Sequence, residues 1–282
     1  MSDARQKQLS ACEQFHRLHA SGCFLLPNPW DAGSAVYLQH LGYQALATTS
    51  SGFAFTKAKP DTVTALHRDT VLAHFRELAA ATTLPVSADF QSGYADAPED
   101  VAANVTLAVA TGIAGVSIED STGRAEQPLY DTELAIARIK AARQAIDATG
   151  IPVVLTARCE AWLIGDPDAS RIARERLVAF AAAGADCLFA PGVSDLDEIT
   201  TLVQLVAPKP LNVLVFAPSP TLSLATLSAA GVRRISLGAA LARVAWGAFD
   251  RAARGLLATG NFDALEGALP FAELNGLFSG ER

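Results

Sequence analysis

The chain has 282 residues, of which 50% are hydrophobic and 18% charged, with a formal net charge of −7 at pH 7. This composition supplies a large core and excludes a disordered protein. An acidic chain without a basic run is a poor partner for nucleic acid or an anionic membrane, and no segment approaches the roughly 20 apolar residues of a membrane span. Residues 1–10 lack the apolar core of a secretory signal, so we expect a cytoplasmic protein.

Short apolar runs alternate with helical periodicities along the whole chain. A helix over residues 3–21 precedes the first strand, and we expect it to close the bottom of a barrel. Each later helix ends near a glycine, after which a new strand begins. This alternation predicts a single (β/α)8 TIM-barrel domain over residues 1–282 rather than an open doubly wound sheet. The eight predicted strands are residues 23–27, 43–49, 84–89, 113–120, 151–158, 186–190, 211–216 and 232–237.

Two connections contain few apolar residues. Residues 50–61 are polar and contain a glycine, which predicts a loop, followed by a helix over residues 62–81 that Asp61 or Thr62 would cap. Residues 121–130 show no periodicity and are predicted to be irregular.

The C-terminal segment, residues 261–282, predicts one or two extra helices. Its apolar content exceeds what a free tail should expose, and a finished barrel offers no place to bury it. We therefore expect these helices to pack on a neighbouring subunit of a homo-oligomer. The apolar side chains concerned are Leu265, Leu269, Phe271, Leu274 and Phe278.

Polar side chains lie at the C-terminal ends of several predicted strands, where barrel enzymes place their chemistry. Asp89 and Glu119 end two successive strands, so their carboxylates should meet at one rim and suit Mg²⁺ or Mn²⁺. Arg158 ends the next strand and could hold a substrate carboxylate with its planar fork. A structural ion pair of Arg158 with Glu160 or another rim acid is the alternative.

The same rim can be interpreted chemically. Backbone N–H groups around Gly52 could receive a carboxylate or an oxyanion. A metal chelated by a 2-oxo carboxylate would polarise the carbonyl and stabilise an enolate. Lys57 and Lys59 lie in a predicted loop rather than at a strand end, which disfavours a Schiff base.

Several short motifs are distributed along the chain. They are NPWDAGSA at 28–35, TTSSGF at 48–53, Asp89 with Gly93-Tyr94, GVSIED at 115–120, Ala157-Arg158 and Gly184-Ala185-Asp186. In these motifs the chain resembles the isocitrate lyase/phosphoenolpyruvate mutase superfamily over nearly its full length. That resemblance implies a barrel whose last helices are swapped between subunits, usually in a tetramer. It also implies Mg²⁺-dependent making or breaking of a C–C or P–C bond next to a 2-oxo acid or its enolate.

The resemblance assigns a role to each matching residue. It implies that Asp89 is a direct metal ligand, that Glu119 holds the metal through water and that Arg158 clamps the substrate carboxylate. It also implies that Ser51, Gly52 and Phe53 form a backbone cradle for the 2-oxo acid end. Asp61, after that cradle, is implied to be a catalytic acid.

Two positions depart from the superfamily pattern. Gln91 stands where a second Asp is usual; its amide can hold a metal-bound water, but one negative charge is lost and we expect weaker metal binding. Residues 121–130 lack the Lys-Lys-Cys-Gly-His of isocitrate and methylisocitrate lyases, and they lack the Lys and Asn pattern of phosphonopyruvate enzymes. Glu126 and Tyr130 remain as candidate proton donors, and strand alternation turns Cys159 away from the pocket.

The sequence therefore predicts a Mg²⁺-dependent lyase that cleaves or forms a C–C bond beside a small 2-oxo or 2-hydroxy carboxylic acid through a metal-bound enolate. Chemistry on the P–C bond of phosphonopyruvate-like substrates is the alternative. A third alternative is a catalytically impaired relative that only binds a 2-oxo acid. Isocitrate and methylisocitrate are not expected to be substrates, and a homotetramer or homodimer is the expected assembly.

Overall fold

The structure, a computed structural model, describes residues 3–279. Within this part of the chain, eight parallel strands form a nearly closed barrel in the order β1-β10-β9-β8-β7-β4-β3-β2, which confirms the predicted fold class. The strands, including the two of a separate hairpin (β5 and β6), are β1 Phe24–Leu26, β2 Leu46–Ala47, β3 Val86–Asp89, β4 Gly115–Glu119, β5 Ser121–Arg124, β6 Gln127–Leu129, β7 Val154–Arg158, β8 Cys187–Phe189, β9 Leu211–Leu214 and β10 Arg234–Ser236.

Helices surround the barrel and follow nearly every strand. The backbone N–H of Ala47 donates to Pro27 O at 3.0 Å, which links the two ends of the sheet. The helices are α1 Asp3–Ala20, α2 Ala32–His40, α3 Ser50–Thr56, α4 Arg68–Ala81, α5 Pro98–Val109, α6 Thr132–Thr149, α7 Ala169–Ala182, α8 Leu196–Val206, α9 Leu224–Ala229, α10 Ala240–Thr259 and α11 Phe271–Ser279.

Strand register sets the height of each rim residue. Asp89 pairs with Ser117, and Glu119 pairs with Arg158, so the last residues of β4 and β7 lie side by side. Because strand side chains alternate between the two faces, Thr156 and Arg158 both point into the barrel while Cys159 does not. Cys159 is fully buried outside the cavity, as the alternation predicted.

Helix α1 packs under the barrel. The Gln8 side chain donates to Val109 O and Ile113 O, just before β4 begins, and the Phe15 ring meets the Phe24 ring edge-on at 6.2 Å. Both contacts are with the N-terminal ends of strands, so α1 closes the bottom of the barrel as the sequence predicted. His19 near its C-terminus is buried in the barrel floor.

The two connections predicted to be irregular are both ordered. The expected loop at 50–61 begins with α3, because Thr49 is an N-cap whose Oγ1 accepts from Gly52 N. Helix α4 starts at Arg68 with His67 as its cap, so neither Asp61 nor Thr62 caps it. Ser and Thr favour both caps and loops, which is why the sequence pattern did not separate them. The segment 121–130 contains the hairpin of β5 and β6.

The C-terminal segment leaves a large apolar surface exposed in this single chain. Helix α11 contacts α2, and the ring of Phe278 lies over Gly33. Phe271 is 83% exposed and Leu257 90% exposed. Residues 280–282 of the expected oligomerisation segment lie outside the described residues, and exchange of these helices between subunits stays a prediction. No helix within residues 3–279 has the length and apolarity needed to cross a membrane.

Candidate active site

A cavity of about 320 Å³ opens at the C-terminal ends of the barrel strands. This volume is the size of a site for a small molecule. It reaches from residues at the rim down to side chains near the start of β10, so it occupies the upper and middle parts of the barrel. Its charged and amide-bearing lining includes Asn28, Asp61, Asp89, Arg158, Asn212 and Arg234.

The rim cluster consists of Asp89, Glu119, Arg158 and Glu160. Arg158 Nη1 donates to Asp89 Oδ1 at 2.8 Å and lies 2.9 Å from Glu119 Oε1. Its Nε and Nη2 donate to the two carboxylate oxygens of Glu160 at 2.8 and 3.3 Å. The structure thus contains the ion-pair alternative for Arg158, and the substrate clamp stays a prediction.

Burial perturbs the acids of the rim cluster. It raises the pKa of Glu119 well above its ordinary value. The Arg158 charge opposes this rise in pKa, whereas the charges of Glu160 and Asp89 add to it. Burial also raises the pKa of Glu160, to about 6, although Arg158 opposes it. For Arg158, burial alone lowers the pKa, but Glu119, Glu160 and Asp89 together raise it above its ordinary value. The guanidinium is therefore charged and holds the carboxylates together.

Asp89 is fixed by the segment that follows β2. The Ser50 N–H donates to Asp89 Oδ2 at 2.9 Å, and the Asp89 N–H donates to Thr48 Oγ1 at 2.8 Å. Ser50 is the first residue of α3, whose N-terminal N–H groups favour a negative charge. Both oxygens of this carboxylate thus have partners before any ligand arrives.

Of the predicted cradle, Ser51 lines the cavity and the other two residues lie behind it. The Gly52 N–H donates to Thr49 Oγ1, and the Phe53 N–H donates to Thr49 O within α3. A Cβ at Gly52 would lie 2.5 Å from Thr49 Cγ2, so no larger residue fits. The Phe53 ring stacks on His74 at 3.7 Å. A three-residue cradle stays a prediction.

The remaining two predicted residues occupy different surroundings. Asp61 lies at the mouth of the cavity, where partial burial and the charge of Asp89 raise its pKa, and Ser50 hydrogen-bonds it. Gln91 is buried with a positive φ of 47° and lines a smaller adjoining cavity together with Asp89. The backbone carbonyl of Gln91 accepts from the backbone N–H of Glu119 at 2.9 Å, so Gln91 also fixes the end of β4.

The rim can accept a divalent cation. Glu119, Glu160, Asp89 and Asp61 place four carboxyl groups around the single guanidinium of Arg158, and carboxylate oxygens are the ligands that Mg²⁺ prefers. A positively charged nitrogen already lies between Asp89 and Glu119. Within residues 3–279, however, no three His, Cys, Asp or Glu side chains converge on one ready metal position. The donor set fits a cation that also keeps water ligands.

Several buried charges around this site were not predicted from the sequence. Asp120 is turned away from the cavity; its Oδ1 accepts from the Glu160 N–H and its Oδ2 from Arg176, each at 2.8 Å. Arg176 also donates to Tyr130 O, which ties the hairpin to α7. Arg234, 3% exposed, lines the bottom of the cavity. The signal in the sequence was the pair of adjacent arginines, Arg233 and Arg234, within the predicted strand 232–237.

The sequence model of the phosphoenolpyruvate phosphomutase family matches residues 15–257, most of the barrel including every rim residue. The chain belongs to this family. The membership agrees with the resemblance drawn from the motifs.

Members and structural neighbours of the family show the range of the fold. A candidate lyase or mutase of Burkholderia cenocepacia J2315 is 45% identical, with a TM-score of 0.94 and 98% of each chain covered. The 2-methylisocitrate lyase of Escherichia coli K12 is 29% identical over 72% of this chain and 69% of its own. The oxaloacetate decarboxylase of Rhodopseudomonas palustris BisB5 is 33% identical over 67% of this chain and 66% of its own.

Proposed function

We propose that this protein is a Mg²⁺-dependent carbon–carbon lyase that acts on a small 2-oxo or 2-hydroxy carboxylic acid through an enolate. The observation that carries the proposal is the rim cluster, in which the Arg158 guanidinium lies between the carboxylates of Asp89 and Glu119 beside a cavity of about 320 Å³. Two of its relatives, a 2-methylisocitrate lyase and an oxaloacetate decarboxylase, are named for reactions on small organic acids, which supports the same class.

Asp89 would hold the metal directly, with Glu119 and Gln91 supporting its water ligands. When bound, Mg²⁺ (or Mn²⁺) supplies a Lewis acid that stabilises negative charge developing on the substrate oxygen. The metal would compete with Arg158 for the oxygens of Asp89 and Glu119. Glu160 would keep hold of the other side of the guanidinium, so the freed Nη1 could turn to a substrate carboxylate.

Proton movement would take place at the cavity mouth. Asp61 is the acid that lines the cavity without an ion-pair contact to Arg158 among the described residues, and Ser50 orients it. We assign it the exchange of a proton with the substrate carbon, a role that requires only reach and a suitable protonation state. Ser51 would hydrogen-bond the 2-oxo acid end from the opposite side of the opening.

The hairpin of β5 and β6 narrows the choice of reaction. It supplies Glu126 and Tyr130 but neither Cys nor His, and the Tyr130 hydroxyl donates to Asp96. We therefore propose that isocitrate and methylisocitrate are not cleaved efficiently. Chemistry on a P–C bond is the second candidate, favoured by the match to the phosphoenolpyruvate phosphomutase family. Release of inorganic phosphate from phosphonopyruvate would identify it.

We further propose a cytoplasmic homo-oligomer in which a single barrel domain spans residues 1–282 and the segment 261–282 contacts another subunit. The exposed apolar side chains of α10, α11 and the segment between them support the assembly, because surfaces of this kind are usually covered by a partner. They are Val244, Trp246, Phe249, Leu257, Phe262, Leu265, Leu269, Phe271 and Phe278.

The test combines metal binding with a substrate panel. Asp89→Ala is expected to abolish Mg²⁺ binding in calorimetry, whereas Asp100→Ala, which removes an exposed acid from α5, should leave it unchanged. Wild-type protein with Mg²⁺ is then given 2-oxo and 2-hydroxy dicarboxylates, and products are followed by NMR with and without chelator. Unchanged Mg²⁺ binding in Asp89→Ala would refute the site. Binding of these acids without turnover would indicate the impaired relative.

A further inference from the structure

Arg234 on β10 is a buried cation with neutral partners. Its Nε donates to Asn212 Oδ1 at 2.8 Å and its Nη2 to Thr156 Oγ1 at 3.0 Å. Its Nη1 lies 3.2 Å from His19 Nε2. These four residues form the floor cluster. Among residues 3–279, no carboxylate forms an ion pair with Arg234, although it is only 3% exposed.

His19 cannot supply the missing negative charge, and its tautomer follows from its contacts. Its Nδ1 lies 2.7 Å from Phe15 O, a carbonyl that can only accept, so Nδ1 carries the proton. Nε2 therefore accepts from Arg234. Burial, together with the Arg234 charge, lowers the pKa of His19 to about 3, so the ring is neutral. The guanidinium charge is left without a counter-charge.

The chain shows elsewhere how it buries a structural arginine. Arg138 on α6 donates to the carbonyl oxygens of Ser92, Ala95 and Asp96 and lies 4.0 Å from the ring centroid of Tyr130. All of these groups present negative partial charge to the cation. Arg138 does not line the cavity at the C-terminal ends of the barrel strands, whereas Arg234 does. A buried charge without compensation costs several kcal/mol, so its position at a cavity points to an external anion.

The spacing of Arg234 and Arg158 indicates the length of the molecule to which the anionic group belongs. Arg234 binds Thr156, which lies two residues before Arg158 on β7 and faces the same side. Two residues of strand separate the floor from the rim by about 6.6 Å. A short carbon chain with an acid at each end can span that distance inside the cavity.

We propose that Arg234 binds the second carboxylate of the substrate, so that the protein selects small dicarboxylic acids over monocarboxylic acids. This inference rests on the proposed function, because it takes the rim as the place for the 2-oxo or 2-hydroxy acid end. In the structure the guanidinium hydrogen-bonds with Thr156, Asn212 and His19. The distal carboxylate supplies the missing charge and accepts from the remaining N–H groups of the fork.

The experiment compares two ligands that differ only at the distal end. Racemic malate and racemic 2-hydroxybutyrate share the 2-hydroxy acid and a four-carbon chain, but malate carries a carboxylate where 2-hydroxybutyrate has a methyl group. Binding of each is measured by calorimetry with Mg²⁺ present. The variant is Arg234→Met, and Arg233→Met is its matched control, because Arg233 is the adjacent, partly exposed arginine that donates to Gly22 O.

Malate is expected to bind roughly ten- to a hundred-fold more weakly to Arg234→Met, the range of one lost charge-assisted contact. Binding of 2-hydroxybutyrate should stay within about two-fold of wild type, and Arg233→Met should match wild type for both ligands. Equal weakening of both ligands, or no change for malate, would overturn the proposal. Arg234→Lys keeps the charge without the fork and should give a smaller, still malate-selective loss, so it replaces Arg234→Met if that variant fails to fold.

The two ligands also separate this inference from the proposed function. Wild-type binding of 2-hydroxybutyrate depends on the rim alone. If wild-type protein binds 2-hydroxybutyrate and malate equally, the dicarboxylate selectivity is wrong while the rim assignment stands. If wild-type protein binds neither ligand, the proposed class of substrate fails, and the role of Arg234 fails with it.

Discussion

Two buried arginines line the same cavity but have opposite surroundings. Arg158 at the rim contacts three carboxylates, and they raise its pKa. Arg234 at the floor contacts an amide, a hydroxyl and a neutral imidazole, and burial lowers its pKa. The rim contains three carboxyl groups around one guanidinium, whereas among residues 3–279 the contacts of Arg234 at the floor are all with neutral groups. This polarity suits a cation above and an anion below.

The difference between rim and floor shows which charge a bound ligand would have to supply in each region. At the rim, Arg158 partly neutralises the acids, so that region is stable without ligand and a metal must compete with an internal cation. At the floor, no carboxylate of the described part of the chain pairs with Arg234, so the cost of burying its charge remains until a ligand offsets it. Substrate binding would then be strongest for molecules that carry complementary charge at both ends.

The largest effect is expected from removing each arginine in turn. Arg158→Met leaves the buried carboxylates without their cation and should lower the free energy of unfolding by roughly 3–5 kcal/mol at pH 7.5. The loss should shrink at pH 5.5, because the released acids take up protons. Arg234→Met removes hydrogen bonds but also an uncompensated charge, so its loss should be clearly smaller. Urea unfolding measures both variants, and similar losses at pH 7.5 would contradict the contrast between rim and floor.

A smaller effect concerns His19 in the floor cluster. Its pKa falls from the ordinary 6.5 to about 3, so between these values the unfolded chain binds a proton that the native chain does not. The neutral His19 ring therefore does not reduce the free energy of unfolding above about pH 6.5. As the pH falls below 6.5, the free energy of unfolding decreases, because only the unfolded chain takes up the proton. Wild type should therefore lose roughly 2.5 kcal/mol more than His19→Gln between pH 7.5 and 4.5.

Two controls sharpen this measurement. His40→Gln changes an exposed histidine on α2 that does not act on His19, and it should follow wild type. In an Arg234→Met background the His19 effect should decrease, because the Arg234 charge is one of its causes. An unchanged His19 effect in that background would mean that the Arg234 charge does not contribute to the lowered pKa of His19.

The smallest effect is expected at Cys159, which lies next to Arg158 in sequence. Burial and the charge of Asp120 raise the pKa of its thiol, so it stays protonated and unreactive. Cys159→Ser should keep the ligand affinity of wild type and any turnover found in the substrate panel. A large loss of turnover without a loss of stability would show that a thiol takes part in the chemistry.

The sequence by itself determined the barrel and the residues of the rim. Strand and helix periodicities differ, and glycines end the helices, so eight alternations predict the fold without any tertiary contact. Strand alternation then predicted that Asp89, Glu119 and Arg158 share the inner face and that Cys159 does not. The motifs around these residues identified the family.

Other features depended on which side chains the fold brings together. The pairing of Arg158 with three acids depends on the register of β4 and β7 and on the reach of a long side chain, and neither can be read from local pattern. Helix α3 was missed because Thr49 serves equally well as a cap or as a loop residue. Arg234 meets His19 across 215 positions of sequence. Only closure of the barrel over α1 makes it a buried, uncompensated charge at the floor of a cavity.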